Sequence, residues 1–511
     1  MGFIRKIKRN GKIYLAEVKN QRVDGKVKQS FIRYIGKDPD SEKSAFPNSP
    51  TASTPSDVKV YGSVLALNSI ARRLGLFDLI GEHANAIMTL VFCHCHDYRS
   101  VADTEKWFKQ TDLAHIFGIE NITEKKLRNA LEYLETLDHF QLQKSIFEMA
   151  CKICEEKPTS VIYDVTNIHF EGIHCDIAKY GKDKKNVKGR RLVQIGLVIT
   201  KKLGLPIFHQ VHPGNIHDAK IFKEAIVLLR RFGIRGGILV HDRGITSKSS
   251  ILELVDSRWK VVAGVALHAG IKAAISDLDL VSIKKFRNLI RQGKTHFYAA
   301  SVPYKMSTVK GKLIILVNHY KRQVIQQKRL DRILNAQDNL VNKKEIDQNL
   351  KKYFTKTGKI NTHVLNREEK YDGISILFTN GKISKQDSVR LYFEKDLIEK
   401  SFQALRGVIN IRPVHVRLTG KVNAHILICY LSYTLLTTFR CFLQKSRGKM
   451  RFLKCSSLEA LEEISRVYKI YYKSDISNDN MKIKNNKKYQ LVETTLLQAA
   501  IMKAVCPEVT L

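Results

Sequence analysis

Between residues 158 and 265 five short apolar runs alternate with turns and two amphipathic stretches, a rhythm that restricts the fold more than any other feature of the chain. "TSVIYDVT", "RRLVQIGLVIT" and "LPIFHQVH" read as three strands, the last two joined by the turn "KKLG". "DAKIFKEAIVLLRRF" predicts a helix with Asp218 as N-cap and Gly233 as C-cap. "GGILVH" reads as a fourth strand, "SKSSILELVDS" as a second helix and "KVVAGV" as a fifth strand. The order β-β-β-α-β-α-β suits a mixed sheet with helices on its faces. The first strand is expected to end on Asp164 and the fourth on Asp242. If these strands are neighbours, both carboxylates meet at one edge, where they repel one another. A divalent cation removes that conflict, and Mg²⁺ favours oxygen ligands.

A third ligand is available further along. Ser384 and Asp387 form a capping-box-like pair, and one helix is expected from about 385 to 406, stopped by Gly407. With Tyr392 at 0° and 100° per residue, Lys395 falls at about −60°, Glu399 at about −20° and Arg406 at about −40°. These four share one narrow face, beside an apolar stripe of Leu391, Ile398, Phe402 and Leu405. Glu399 therefore stands between core and solvent, where a metal-binding acid belongs. Lys395 and Arg406 are placed to hold phosphates, and Tyr392 to stack on a displaced base or to pack. Asp218 reads as a cap rather than a ligand, and Glu394 and Asp396 lie nearer the solvent side. His241 reads as a packing or supporting residue. "KDKKNVKGRR" (182–191) holds six basic residues and one acid. Beside a site of this kind, Lys184, Lys185, Lys188 and Arg190 are expected to contact DNA.

A chain of 511 residues holds two to four domains, and 44% hydrophobic residues can build a sizeable core. Lys and Arg total 87 against 49 Asp and Glu, a net charge of +38. Such an excess calls for a polyanionic partner, most often nucleic acid, rather than an anionic membrane. No signal-peptide pattern, myristoylation pattern or membrane-spanning apolar run is read, so a cytoplasmic protein is expected. Nine cysteines form an odd, sparse set suited to a reducing compartment. "CHCH" (Cys93–His96) and Cys151-x-x-Cys154 invite zinc, but four consecutive helical residues cannot all face one ion. Buried or free thiols are expected instead.

The expected organisation has seven parts. Residues 1–36 form a β-hairpin unit turning at Asp24-Gly25. Residues 37–58 form a Pro/Ser-rich linker, and 59–155 a helical DNA-binding domain. Residues 156–265 are the first part of the core, 266–380 an insertion, and 381–440 the second part with the Glu-bearing helix. "AHILICYLSYTLLTTFRCFLQ" in that part is apolar almost all round and reads as a core helix. Residues 441–511 form a basic C-terminal region, of which roughly 443–490 is expected to be loosely ordered. The parts preceding the core are expected to carry end-specific DNA binding.

Asp164 in "YDVT", Asp242 in "HDRG" and Glu399 in "YFEKDLIEKSFQALR" resemble the acidic triad of insertion-sequence DDE transposases. The nearest resemblance is to the bacterial group with the motif Tyr-x2-Arg-x3-Glu-x6-Lys, the superfamily of insertion sequence number four. This chain reads Tyr392-x2-Lys395-x3-Glu399-x6-Arg406, with Lys for Arg and Arg for Lys. Charge is kept, but bidentate phosphate geometry is not equivalent. The resemblance covers roughly 158–430. It implies an α/β, RNase H-like core with a large insertion, and metal-dependent phosphoryl transfer on DNA. Two Mg²⁺ ions, or Mn²⁺ in their place, would be held by Asp164, Asp242 and Glu399. The partners it implies are terminal inverted repeats and target DNA, engaged by a homodimer in a bacterial, nucleoid-associated setting. A non-catalytic basic DNA-binding protein and an RNase H-like nuclease are the rival readings. The first would not need all three acids, and the second would not need the insertion or an N-terminal module.

Overall fold

The computed structural model describes residues 2–9, 12–23, 26–37, 55–96, 98–172, 174–183, 189–244, 246–342, 344–407, 418–447, 455–472 and 489–508. They fall into two compact units, residues 1–57 with 470–490, and residues 58–469 with 491–511.

In the smaller unit, Gly2–Arg9, Lys12–Val23 and Lys26–Lys37 form a three-stranded antiparallel sheet. The expected hairpin thus has a third strand, because "GFIRKIKR" alternates well enough to pair along its whole length with the middle strand. The Asp24-Gly25 turn lies outside the described residues, as does most of the expected linker.

The larger unit is built on one ten-stranded mixed sheet. Its strands are β1 (Ser160–Phe170), β2 (Lys179–Tyr180), β3 (Arg191–Thr200), β4 (Pro206–Pro213), β5 (Gly237–His241) and β6 (Trp259–Val265). From the insertion come β7 (Leu289–Gln292), β8 (Thr295–Met306), β9 (Val309–Val317) and β10 (Ile374–Thr379). The order is β7-β8-β9-β10-β6-β5-β1-β3-β2, with β4 also on β3. β1, β3 and β4 pair antiparallel, whereas β1–β5 and β5–β6 pair parallel. Three meandering strands followed by parallel crossovers is the RNase H-like arrangement, and it makes the first and fourth runs neighbours. The strands of residues 266–380, read from the sequence as an insertion, do not leave the sheet. β10 pairs antiparallel with β6, so β7–β10 extend the same hydrogen-bonded layer.

Both faces of the sheet are covered. Val161, Tyr163 and Val165 point to one face, where helices α1 (Asp218–Arg231) and α2 (Lys248–Asp256) bury Phe222, Ile226 and Leu254. Ile162 points to the other face, with Ile195 and Leu197, as the two-residue strand period requires. That face shares its core with helices of residues 62–154 and with Thr419–Arg447. The helical block therefore does not bury its apolar surface alone. Thr419–Arg447 corrects the expectation that no stretch could span a membrane. Its length and hydropathy suffice, but its apolar window is 94% buried inside the protein. In the C-terminal region Ser457–Ser465 forms a helix where loose order was expected, and Leu496–Val505 forms another beyond that stretch.

Three local expectations are corrected. β1 does not end on Asp164 but runs on to Phe170, because β3 continues to pair with it. Only Ser160–Ile162 lie against β5. α1 begins at Asp218, and its N-cap is His217, whose ring accepts from the Ala219 amide; Phe232 is the C-cap, and Gly233 follows it at φ 78°. The helix expected over 385–406 is two helices, α3 (Lys385–Phe393) and α4 (Asp396–Gly407). Val389 of α3 packs on insertion strands with Phe297 and Leu377, whereas Ile398, Phe402 and Leu405 of α4 pack in the core beneath β1. Serving two cores requires the chain to turn, and it does so at Glu394-Lys395.

Candidate active site

Asp242 follows β5 directly, and β5 adjoins the first three residues of β1. Asp164 stands two residues past that pairing, on the same face of the sheet as Ile162, toward α4. α4 brings Glu399 over it. The three acids line one polar cavity of about 380 Å³, together with Asp218, Thr166, Arg243 and Gln403. Each element contributes one carboxylate to a single opening.

Asp242 is the most elaborated. One oxygen accepts from the Tyr392 hydroxyl (2.8 Å) and the Arg243 amide (2.8 Å). The Lys395 ammonium lies 3.4 Å from its other oxygen and 3.3 Å from Glu399 Oε1, bridging the two acids. Burial pushes the Asp242 carboxyl up, but Lys395, the Tyr392 hydroxyl and the Arg243 amide outweigh it and hold its pKa below the ordinary value. Burial would lower Lys395, yet Asp242 and Glu399 raise it, so it stays charged. Burial and the Asp242 charge push Tyr392 well up, so it remains a hydrogen-bond donor.

Gly264 on β6 gives Tyr392 its room. A Cβ there would sit 2.6 Å from the Tyr392 hydroxyl and 3.1 Å from the Arg243 amide. Thr246 fastens the loop by donating to the Gly264 carbonyl at 2.7 Å. His241 is buried. Its ring lies 4.9 Å from Phe222, and burial lowers its pKa to about 4, a packing role beside the site.

The sequence reading of Tyr392 and Lys395 changes in one respect. Both face the acids, although the helix breaks between them, so Tyr392 bonds Asp242 instead of presenting an open ring. Arg406 lies on α4, but its side chain is outside the described residues, as are Lys184, Lys185 and Lys188. Arg190 is exposed, with one nitrogen 3.3 Å from His169 Nδ1. Glu394 turns away to pair with Lys201 at 2.6 Å, and Asp396 lines a different cavity. Asp218, read from the sequence as a cap rather than a ligand, lines the same cavity as the three acids. A carboxylate opening a helix reads as a cap, and only the path from β4 into α1 swings it toward Gln194, which donates to it at 3.3 Å.

The donor set is all oxygen and carries negative charge, which suits a hard divalent cation. Among the described residues, no three His, Cys, Asp or Glu side chains are close enough to hold one ion together, and Lys395 stands between two of the acids. None of the nine cysteines is in a disulfide, including those of "CHCH" and Cys151-x-x-Cys154.

No curated protein matches this chain. Among solved structures, the piggyBac transposase synaptic complex with hairpin DNA is similar at 11% identity, over 80% of each chain, with a TM-score of 0.40. The Mos1 transposase paired-end complex with the left transposon end is similar at 14% identity over 36% of this chain and 58% of that one, with a TM-score of 0.15. The family model for the transposase DDE domain matches residues 155–435, more than half of the chain and all of the sheet and helices that carry the acids. This chain therefore belongs to the DDE-domain transposase family.

Proposed function

We propose that this transposase cuts and joins DNA at the ends of an insertion sequence, with Asp164, Asp242 and Glu399 as its metal ligands. The observation that supports this most is that three carboxylates, from β1, the end of β5 and α4, line one polar cavity. Mg²⁺ is the natural occupant and Mn²⁺ its substitute. When bound, a pair of such ions supplies activation of the attacking oxygen and stabilisation of the leaving one. The chain's own groups orient that chemistry. Tyr392 and the Arg243 amide fix one Asp242 oxygen, and Lys395 keeps Asp242 ionised. In the first step a water oxygen attacks phosphorus at the element's end, and the bond to the 3′-oxygen breaks, leaving a 3′-hydroxyl and a 5′-phosphate. In joining, that 3′-hydroxyl attacks a second phosphodiester and displaces its 3′-oxygen, so no covalent protein–DNA bond is needed.

The motif Tyr392-x2-Lys395-x3-Glu399-x6-Arg406 supports placement in the insertion sequence number four superfamily. It implies a bacterial, cytoplasmic, nucleoid-associated protein that pairs two terminal inverted repeats as a homodimer. Arg406, Arg190, Lys184, Lys185 and Lys188 are proposed DNA contacts. Incubating the purified chain with its own element's ends and Mg²⁺ should yield nicks at the element boundary and then joined products. Cutting without regard to the boundary would favour the nuclease reading, and binding without cutting the non-catalytic one.

Lys395 gives a separate prediction. Its ammonium and a divalent cation compete for the same two carboxylates. Lys395→Gln should therefore bind Mn²⁺ about tenfold more tightly, an effect of about 1.4 kcal/mol. Electron paramagnetic resonance of free Mn²⁺ in titrations without DNA reads this directly. Unchanged or weaker binding would show that Lys395 does not occupy the metal's place.

A further inference from the structure

The three-stranded sheet of residues 2–37 is unusual in having no second layer. Adjacent residues on a strand point to opposite faces. Phe3 and Ile4 are 44% and 63% exposed, and Phe31 and Ile32 are 60% and 46% exposed. Both faces are therefore open, and among the described residues of this unit no helix covers either. Among the described residues of the middle strand, Ala16 and Val18 are the buried ones. Residues 2–37 also carry eleven Lys and Arg against two acids, Glu17 and Asp24. A bare sheet with this charge matches a polyanion better than a protein partner.

The register sorts the side chains. Phe3 pairs with Val18 and Arg5 with Ala16, while Val18 pairs with Phe31 and Asn20 with Gln29. Arg5, Asn20 and Gln29 consequently share one face. They form a chain of contacts across all three strands: Arg5 donates to Gln29, and Gln29 Nε2 donates to Asn20 Oδ1 at 3.1 Å. Arg, Asn and Gln are the side chains whose paired donors and acceptors match guanine and adenine edges in the major groove. Three strands spaced about 4.8 Å apart present a face roughly 10 Å across, and that groove is about 12 Å wide.

We propose that this sheet enters the major groove of duplex DNA, with Arg5, Asn20 and Gln29 facing base edges and Arg22, two residues from Asn20 and so on the same face, engaging a phosphate. The inference rests on the reading of the chain as a transposase acting at specific DNA ends, and it supplies the element that recognises them.

The test uses the full chain in EDTA, with fluorescence anisotropy on terminal-repeat and scrambled duplexes at several salt concentrations. Arg5→Ala and Gln29→Ala should each lose about tenfold in preference for the terminal repeat. Arg22→Ala should weaken binding to both duplexes and lower the salt slope by about 1. Circular dichroism should stay at the wild-type signal, so that a loss of binding is not a loss of fold. Wild-type discrimination and salt slopes in the variants would overturn the proposal. So would a wild-type chain that cuts element ends while binding both duplexes equally, and that result would leave the transposase reading standing. A chain that neither cuts nor prefers its ends would overturn both.

Discussion

Asp164→Asn, Asp242→Asn and Glu399→Gln should each lower Mg²⁺-dependent nicking of element ends by at least about a thousandfold, with DNA binding in EDTA within a few-fold of wild type. The magnitude follows from the several kcal/mol of charge stabilisation that a bound metal supplies, at 1.36 kcal/mol per tenfold in rate. The carboxylates are separated in sequence but share one cavity, so losing any one should disable the site, and the three losses should not add. Folding is not the obstacle. The Asp242 and Glu399 side chains are 44% and 52% exposed, and each substitution keeps size and shape. Asp218→Asn is the informative companion. It lines the same cavity, but its bond to Gln194 ties it to β3, so the expected loss is nearer tenfold. A triad variant that nicks at close to the wild-type rate would remove that residue from the metal site. An Asp218 variant as dead as the others would add it.

The part of this site legible in the sequence was the part that local chemistry controls. Asp242 follows an apolar run too short for a helix, and a carboxylate there has few uses except function. Asp164 lines the cavity, but from within a strand and not from the strand end that was expected. The run "SVIYDVT" marks a strand, but nothing local says that β3 will hold it straight to Phe170. Glu399 was found by helical periodicity even though the helix breaks at Glu394-Lys395. The break is a tertiary matter: Val389 and Phe402 belong to different cores, and no propensity in "YFEKDLIEK" records that. Asp218 read as a cap because capping and ligation use the same residue type at a helix start, whereas His217 is the N-cap and Asp218 lines the cavity. Two features needed long-range pairing to become visible. One is the insertion's return to the sheet through β10 and β6. The other is the core that the helices of residues 62–154 share with Thr419–Arg447, more than 250 residues away.

That shared core carries a titratable group whose effect on stability should be large. His209 on β4 is 8% exposed, its ring 5.0 Å from Tyr430 of the long buried helix, and Nδ1 has no hydrogen-bond partner. Burial, with a smaller contribution from His139, lowers its pKa to about 3 from an ordinary 6.5. The folded state thus holds the neutral ring, whereas the unfolded chain takes up a proton below about pH 6.5. Stability from this group is complete above 6.5 and falls as pH drops through the window between 6.5 and 3, at up to about 1.4 kcal/mol per pH unit. By pH 4.5 the loss is about 3 kcal/mol, a large share of the 5–15 kcal/mol that holds a typical protein folded. His209→Gln removes the proton site. The variant should be less stable than wild type at pH 7, where the neutral ring packs well. Its unfolding free energy should then fall less steeply between pH 6.5 and 4.5, by about one proton's worth of slope, narrowing or reversing the gap. Urea unfolding followed by tryptophan fluorescence at intervals across that range measures both quantities. Parallel pH profiles for the two proteins would mean that the ring is solvated or paired in the folded state, and that the contact with Tyr430 does not exclude the proton.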